Sequence, residues 1–145
     1  MSTSCIFCKI VEGSAPSSKV YEDDLCLAFM DIQPVNPGHV LVIPKAHFSD
    51  LSTLPAETGG HLFQVAQKIA LLLPKTNVKN EGVDFFLANG EAAGQEVFHV
   101  HLHVIPRFTG DGFGFRLGPN YNNLPERSEL DNIATQIRQQ LASNS

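Results

Sequence analysis

The sequence lacks tryptophan, has two tyrosines and three cysteines, and places only 17% of its residues in the charged class. An odd and low number of cysteines argues against a secreted domain held by disulfides, and it favours a reducing compartment, so we expect a cytoplasmic protein. The amino terminus has neither the basic region nor the apolar region of a secretory signal. No apolar run approaches the roughly 20 residues that span a bilayer, so we expect no membrane partner.

Positive charge is also scarce, since 10 lysines and arginines stand against 15 acidic residues and give a net charge of −5. No stretch rich in lysine or arginine offsets this balance, so we expect no nucleic-acid partner. A small molecule that carries phosphate is not excluded, because a pocket can bind it through backbone N–H groups and a few side chains. With 43% hydrophobic residues in 145 positions, the chain has the composition of one folded domain with a core.

Hydrophobic periodicity predicts an α+β fold. Apolar runs predict strands at residues 19–21, 25–31, 39–43, 83–88 and 97–105. A spacing of three and four residues predicts a long helix over 56–73, ended by Pro74, and a C-terminal helix over about 128–142. We therefore expect a single domain over residues 1–145, with its core at about 5–107 and a C-terminal extension. The expected fold is an antiparallel sheet of about five strands with a long helix and a C-terminal helix.

Three of the six histidines stand at alternate positions in one predicted strand, as His99, His101 and His103. Alternation places the three imidazoles on one face, about 6.5–7 Å apart from neighbour to neighbour, and the intervening apolar residues on the other. One interpretation is a metal site, but His99 and His103 would be roughly 13 Å apart, so one ion cannot bind all three. Another makes the central imidazole a nucleophile, because a neutral ring nitrogen attacks without a separate base. The spacing alone leaves both interpretations open.

The segment His99–Ile105 resembles the signature of the histidine-triad family, in which three histidines alternate with apolar residues. Further family motifs are matched in the same order and spacing, in Cys5–Ile10, Ala28–Ile32, Pro37–Lys45, Asn89–Glu91 and Gly94–Gln95. The resemblance covers about residues 5–107 and is closest to the bacterial and Hint-like branch. It implies a HIT-like fold and a nucleotide hydrolase.

The mechanism that this resemblance implies is an attack by the middle histidine on the α-phosphorus of a nucleotide phosphoramidate or dinucleoside polyphosphate. A nucleotidyl-histidine forms, and water then releases a nucleoside monophosphate such as AMP. By position, His101 is the nucleophile, and His103 contacts the α-phosphate and helps to hold the ring. Gly94 and Gln95 are expected to let the backbone approach the phosphate and donate N–H groups, with Gln95 in the catalytic set.

The resemblance also implies a pocket for a purine nucleotide. Asp31 aligns with the acid that accepts hydrogen bonds from the ribose hydroxyls, and Asn89 with a polar contact near the phosphates or ribose. His39 aligns with a histidine that supports the triad. Glu96 stands where eukaryotic relatives often carry a serine or threonine that donates to the leaving group, which leaves the leaving-group preference open. The apolar slot around the base is expected from Phe7, Ile10, Phe29 and Ile32.

The pair Cys5-x-x-Cys8 by itself fits a redox pair, half of a metal site or two small buried residues. A redox motif usually belongs to a thioredoxin-like pattern, which is not evident here. A zinc site needs two more ligands, for which His47 and His99 are the natural candidates, and family members with this motif have a similar site. The resemblance thus implies a structural zinc ion. Four protein ligands leave no position for a reacting water, so we expect no cofactor in the chemistry.

Family members usually pair as symmetric dimers, so we expect a homodimer with the first long helix and the strand at 83–88 at its interface. Two other functions stay open from the sequence. One is a nucleotide-binding regulatory module with vestigial activity. The other is a nucleotidyl transferase, in which a second substrate rather than water captures the intermediate.

Overall fold

An antiparallel sheet is the centre of the fold in the computed structural model, which describes residues 4–144. Its strands are β1 (Lys19–Glu22), β2 (Cys26–Met30), β3 (Val40–Pro44), β4 (Gly82–Phe86) and β5 (Leu102–Arg107). The order across the sheet is β1-β2-β3-β5-β4, and every neighbouring pair is antiparallel. The predicted α+β class with about five antiparallel strands is therefore confirmed.

Strand β3 lies in the middle of the sheet and is buried along its whole length. Its alternate residues face opposite sides, so Val40 and Val42 belong to one core cluster and Leu41 and Ile43 to another. A strand with two buried faces needs apolar side chains at every position, which the continuous apolar run of this segment provides.

A short helix, α1 (Ile6–Glu12), covers one face of the sheet and packs Phe7 and Ile10 into the same cluster as Leu41. Its N-cap is Cys5, whose Sγ accepts a hydrogen bond from the N–H of Cys8 at 3.5 Å. The helix ends at a glycine with φ of +87°, a left-handed conformation that costs glycine little. The cysteine pair and two apolar side chains therefore reach the same side of the sheet.

The first long helix, α2 (Ala56–Leu72), covers the other face, and its buried side chains Leu62, Val65 and Ala66 pack against that side of the sheet. A single 3₁₀ turn follows at Leu73–Lys75, because the proline within it cannot continue the helical hydrogen bonding. The predicted helix over 56–73 is confirmed. Within residues 4–144, no helix combines the length and the apolar character that crossing a membrane requires.

The strand that carries the histidines begins later than predicted, at Leu102 rather than at residue 97. The last residue pair between β3 and β5 is Val42 with Leu102, and the N–H of Val100 donates to the carbonyl oxygen of Phe48 at 2.8 Å instead of to a neighbouring strand. The alternation of faces nevertheless continues through this segment, because Val100 and Leu102 lie in one core cluster. Periodicity therefore predicted the side-chain directions correctly and the strand boundary wrongly.

The chain divides into two compact units, one up to Phe113 and one from Gly114. In the second unit, residues 114–126 are irregular and α3 (Arg127–Ser143) follows, so the predicted C-terminal helix is confirmed. A single helix cannot cover its own apolar stripe. The exposed apolar side chains of α3 are Leu130, Ile133, Ile137 and Leu141. The expectation of one domain over residues 1–145 stays a prediction.

Candidate active site and metal centre

A cavity of about 600 Å³ lies beside α1 and has the size of a small-molecule site. It collects residues from α1, from the end of β2, from the start of β3 and from the segment that leads into β5. Ten of the residues predicted to act on or bind substrate line it. They are Phe7, Ile10, Phe29, Asp31, Ile32, His39, Gly94, Glu96, His101 and His103.

The two ring nitrogens of His101 have different roles. Its Nδ1 lies 2.8 Å from the backbone carbonyl oxygen of His99, which can only accept, so Nδ1 carries the proton and donates it. The lone pair is consequently on Nε2. Burial lowers the pKa of His101, so the ring is neutral at neutral pH. The ring of Phe7 packs against it edge to face, with 5.1 Å between centroids.

A chain of hydrogen bonds assigns the protons of His39 and His103. The backbone N–H of Val35 donates to Nδ1 of His39 at 3.0 Å, so the proton of His39 is on Nε2. This Nε2 lies 2.9 Å from Nδ1 of His103 and donates to it. The proton of His103 is therefore on its own Nε2. Because His103 lines the cavity, its N–H is suited to donate to an oxygen of a bound phosphate.

Burial keeps the imidazoles of the cavity uncharged. It lowers the pKa of His103 to about 4, with further contributions from His101 and His39. Burial also lowers the pKa of His39, against the opposite effect of the Asp31 carboxylate, whose Oδ2 lies 3.5 Å from Nε2 of His39. The other oxygen of Asp31 accepts from the backbone N–H of Gln33 at 2.9 Å. Asp31 is thus held at the cavity wall beside His39.

Gln95 is buried outside the lining of the cavity, and its side chain is engaged with the backbone. Its amide nitrogen donates to the carbonyl oxygens of Ser49 at 2.8 Å and Val97 at 3.2 Å. Its amide oxygen accepts from the N–H of Gly90 at 2.8 Å. Gln95 therefore holds the loop that precedes the histidines, rather than presenting its side chain to the cavity.

The expected phosphate donors of this loop are engaged as well. The N–H of Gly94 donates to the carbonyl oxygen of Glu91 at 2.9 Å, and the N–H of Gln95 to that of Gly90 at 3.1 Å. Asn89 is exposed and does not line the cavity, and its side-chain oxygen accepts from a backbone N–H in the loop before α2 at 2.7 Å. Gly94 alone of these residues lines the cavity, with φ of +92° and open space where a Cβ would stand.

The ligand atoms of Cys5, Cys8, His47 and His99 all lie within 4.8 Å of one another. Sγ of Cys5 is 3.5 Å from Nδ1 of His99, and Nδ1 of His47 is 3.3 Å from Sγ of Cys8. The two Nδ1 atoms are 3.3 Å apart. In a tetrahedral zinc site with ordinary bond lengths, neighbouring ligand atoms are roughly 3.3–3.8 Å apart. Both the donor set and the spacing therefore fit zinc.

The orientation of His99 also suits a metal ligand. Its Nε2 lies 2.8 Å from the carbonyl oxygen of Pro44 and donates to it, so the lone pair is on Nδ1, the atom that faces the cysteines. Burial lowers the pKa of His99, which favours the neutral ring that binds a metal. The ring of His99 belongs to this candidate metal cluster, whereas its carbonyl oxygen accepts from the ring of His101.

One buried side chain that sequence reasoning missed is Asn36, which fixes the turn before β3. Its side-chain amide nitrogen donates to the carbonyl oxygen of Pro106 at 2.8 Å and to Asp111 at 2.9 Å, and its backbone carbonyl oxygen accepts from the N–H of His39 at 3.1 Å. Nε of Arg107 binds the same carboxylate oxygen of Asp111 at 2.6 Å. The Asn-Pro-Gly turn was the only signal in the sequence, because these partners lie 70 and 75 positions away.

Comparison with known proteins gives matches along most of the chain. The family model described as HIT domain matches residues 12–110. Protein hit of Bacillus subtilis is 43% identical over 141 residues, which cover 97% of this chain and 96% of that protein. The adenylylsulfatase HINT3 of Arabidopsis thaliana is 36% identical over 142 residues, which cover 96% of this chain and 70% of that protein.

Solved structures share the fold. A HIT family protein from Bacillus anthracis has a TM-score of 0.87 at 43% identity, covering 97% of this chain and 99% of that one. A zinc-bound histidine triad family protein from Mycobacterium smegmatis has a TM-score of 0.75 at 40% identity, with 100% of both chains covered. A histidine triad nucleotide-binding protein from Candida albicans has a TM-score of 0.82 at 33% identity, covering 98% of this chain and 100% of that one.

Proposed function

This chain belongs to the HIT domain family, and on that premise we propose that it hydrolyses nucleotide phosphoramidates or dinucleoside polyphosphates. His101 attacks the α-phosphorus, and a nucleoside monophosphate, AMP in the case of adenine nucleotides, is released. The observation that carries the proposal is the state of His101. Its ring is neutral, its Nδ1 donates to the carbonyl oxygen of His99, and it lines a cavity of about 600 Å³.

The reaction divides into two displacements at phosphorus. Nε2 of His101 attacks with its lone pair, and the bond to the leaving group breaks with its electron pair going to that group. The departing nitrogen of a phosphoramidate takes up a proton and becomes an amine. Water then attacks the nucleotidyl-histidine, the bond between phosphorus and Nε2 breaks, and its electron pair returns to the ring as the water loses a proton. Two such steps replace one difficult attack by water, because imidazole is a good nucleophile and its phosphoramidate is labile.

His103 and His39 assist this chemistry in the proposal. The Nε2–H of His103 donates to a phosphoryl oxygen on which charge accumulates in the transition state. His39 is a positioning residue, because it donates to Nδ1 of His103 and so fixes the proton of His103 on the other nitrogen. Val35 fixes His39 in turn.

The remaining cavity residues suit a purine nucleotide. We assign the ribose hydroxyls to Asp31, and the base to the apolar walls around Phe7, Ile10, Phe29 and Ile32. Gly94 gives the phosphate room to approach the backbone. Gln95 and Asn89 act here as supports of their loops, since their side chains bind backbone groups. The nucleotide-binding and adenylylsulfatase descriptions of two relatives support a nucleotide substrate.

We propose that Cys5, Cys8, His47 and His99 hold a structural zinc ion, which the zinc-bound relative supports. When bound, the ion supplies a cross-link between α1, the segment after β3 and the segment before β5. Four protein ligands fill its tetrahedral coordination, so it takes no part in the displacement at phosphorus. His99 is therefore a structural member of the triad, and His101 on the same segment carries the chemistry.

We also propose that the protein is a cytoplasmic homodimer and has no nucleic-acid or membrane partner. Phe63 and Leu71 of α2 and Phe86 of β4 are exposed at 52%, 68% and 43%, although they are large and apolar. Phe63 lies on the part of α2 next to β4, where its ring packs against Phe85. Exposed apolar side chains on α2 and on the edge strand β4 support an interface formed by these two elements.

A substrate panel on the wild type and on His101→Ala tests the function. We expect the wild type to release AMP from an adenosine phosphoramidate and His101→Ala to bind AMP without releasing it from the substrate. A wild type that binds nucleotide with no turnover contradicts hydrolysis and indicates a regulatory module. If a sugar-phosphate acceptor makes the substrate disappear faster and a new nucleotide forms, the protein is a transferase instead.

A further inference from the structure

Glu96 lines two adjoining spaces. One is the active-site cavity, and the other is a smaller recess of about 380 Å³. Ile6, Glu96 and Val97 line both, so the recess lies against one part of the cavity. The recess is lined by Ser4, Cys5, Ile6, His47, Ser49, Glu96, Val97 and Phe98.

Neither space has a fixed positive charge. Among the residues that the structure describes, the lining of the cavity and the recess includes the carboxylates of Asp31 and Glu96 and no lysine or arginine. Lys45 is paired with Glu22 at 2.7 Å, and Arg107 with Asp84 and Asp111. Zinc at the metal centre would not change this balance, because two cysteine thiolates neutralise its charge. A substrate therefore meets carboxylates, neutral imidazoles and backbone dipoles.

The two carboxylates lie in different parts of this space. Asp31 lines only the cavity and lies beside His39, with 3.5 Å between the carboxylate and the ring nitrogen. Glu96 is exposed, stands in the segment between Gly94 and the histidines, and also lines the recess. If Asp31 binds the ribose, Glu96 remains for the group on the other side of the α-phosphate.

We propose that Glu96 and the recess beside it form a subsite for the leaving group, and that this subsite selects leaving groups that carry a positively charged amine. The inference rests on the proposed function and deepens it. A unit positive charge about 4 Å from the Glu96 carboxylate in a water-like medium gains roughly fivefold in an equilibrium constant, and a negative charge loses as much. Nucleotides with a cationic amine beyond the α-phosphate are therefore preferred to those with further phosphates.

The test uses three adenosine 5′-phosphoramidates of one chain length, whose amine leaving groups end in an ammonium, a hydroxyl or a carboxylate. The kcat/KM of AMP release is measured for each with the wild type, Glu96→Gln and Glu91→Gln, at low and high salt. Glu91 is the matched control, because it is an exposed carboxylate of the preceding turn that lines neither space.

In the wild type, we expect kcat/KM to fall about fivefold from ammonium to hydroxyl and again from hydroxyl to carboxylate. Glu96→Gln abolishes this order, Glu91→Gln keeps it, and high salt weakens it in the wild type. The proposal is overturned if the wild type has equal kcat/KM for the three phosphoramidates, or if Glu96→Gln keeps the wild-type order. Failure of the proposed function gives a different result. In that case the wild type releases AMP from each of the three phosphoramidates no faster than His101→Ala does.

Discussion

His39 donates to His103 through a hydrogen bond of 2.9 Å between Nε2 of the first ring and Nδ1 of the second. The direction of this bond is decided outside both rings, because the backbone N–H of Val35 occupies the other nitrogen of His39. Two imidazoles in contact could otherwise exchange donor and acceptor roles. The turn before β3 therefore determines which ring nitrogen of His103 carries the proton.

Replacing His39 should separate catalysis from binding. His39→Ala removes the donor to His103 and lets its proton move to the other nitrogen, so we expect kcat to fall about 10- to 100-fold. KM should change less, because the proposed ribose and base contacts remain. The control is His61→Ala, since His61 binds Asp23 outside the cavity. An unchanged kcat in His39→Ala would exclude a positioning role.

The pH profile of kcat/KM tests the protonation of His101, the proposed nucleophile. Burial lowers the pKa of His101 below its ordinary value of 6.5, and protonation removes the lone pair that attacks. We therefore expect kcat/KM to be constant through neutral pH and to fall on the acidic side with a midpoint below 6.5. His103 titrates only near 4, so it should not contribute at a higher pH. A midpoint at or above 6.5 contradicts this description of the site.

Removing one thiol should remove the metal. In Cys5→Ala, we expect the bound zinc measured by atomic emission to be lost and the melting temperature to fall by about 10 °C, with part of the turnover retained. Cys26→Ala is the matched control, because Cys26 is buried in the core beside α2 and lies outside the metal centre. It should lose stability and keep its metal. The zinc site would be refuted if the wild type is purified without metal and its melting temperature does not change when zinc is added.

Asp23 should contribute to stability and not to catalysis. Its carboxylate accepts from the hydroxyl of Tyr21 and the N–H groups of Leu25 and Cys26, each at 2.8 Å, and lies 2.6 Å from Nε2 of His61. We expect Asp23→Ala to lower the free energy of unfolding by about 2 kcal/mol in urea titration, because these donors lose their acceptor.

The control for that variant is Asp24→Ala, a change at the exposed neighbour in the same turn, which should have almost no effect. The hydrogen bonds hold the pKa of Asp23 well below its ordinary value of 3.8. The stabilisation is therefore present above that pH and is lost as the carboxylate is protonated below it. A difference between wild type and Asp23→Ala that grows on acidification would contradict this sign.

The sequence was sufficient to predict the five strands, the two long helices and the common face of the three histidines, because each of these depends on a short periodic pattern. It did not predict that β5 begins at Leu102, since side-chain alternation continues where the backbone pairing has stopped. It also could not reveal the role of Val35, whose contribution is a backbone N–H that every residue type except proline offers. Gln95 was expected to donate its backbone N–H to the phosphate; in the structure this N–H donates to the carbonyl oxygen of Gly90, and the place of Gln95 in the catalytic set stays a prediction.

The amino-terminal helix has a double duty that affects how the protein can be shortened. Phe7 and Ile10 of α1 line the cavity, while Cys5 and Cys8 lie beside the rings of His47 and His99 in the candidate metal centre. Deleting this segment removes no strand residue, but it takes away a cavity wall, the two thiols and two members of the core cluster that contains Leu41. A chain shortened to begin after Glu12 is therefore expected to lose metal binding, nucleotide binding and part of its stability together.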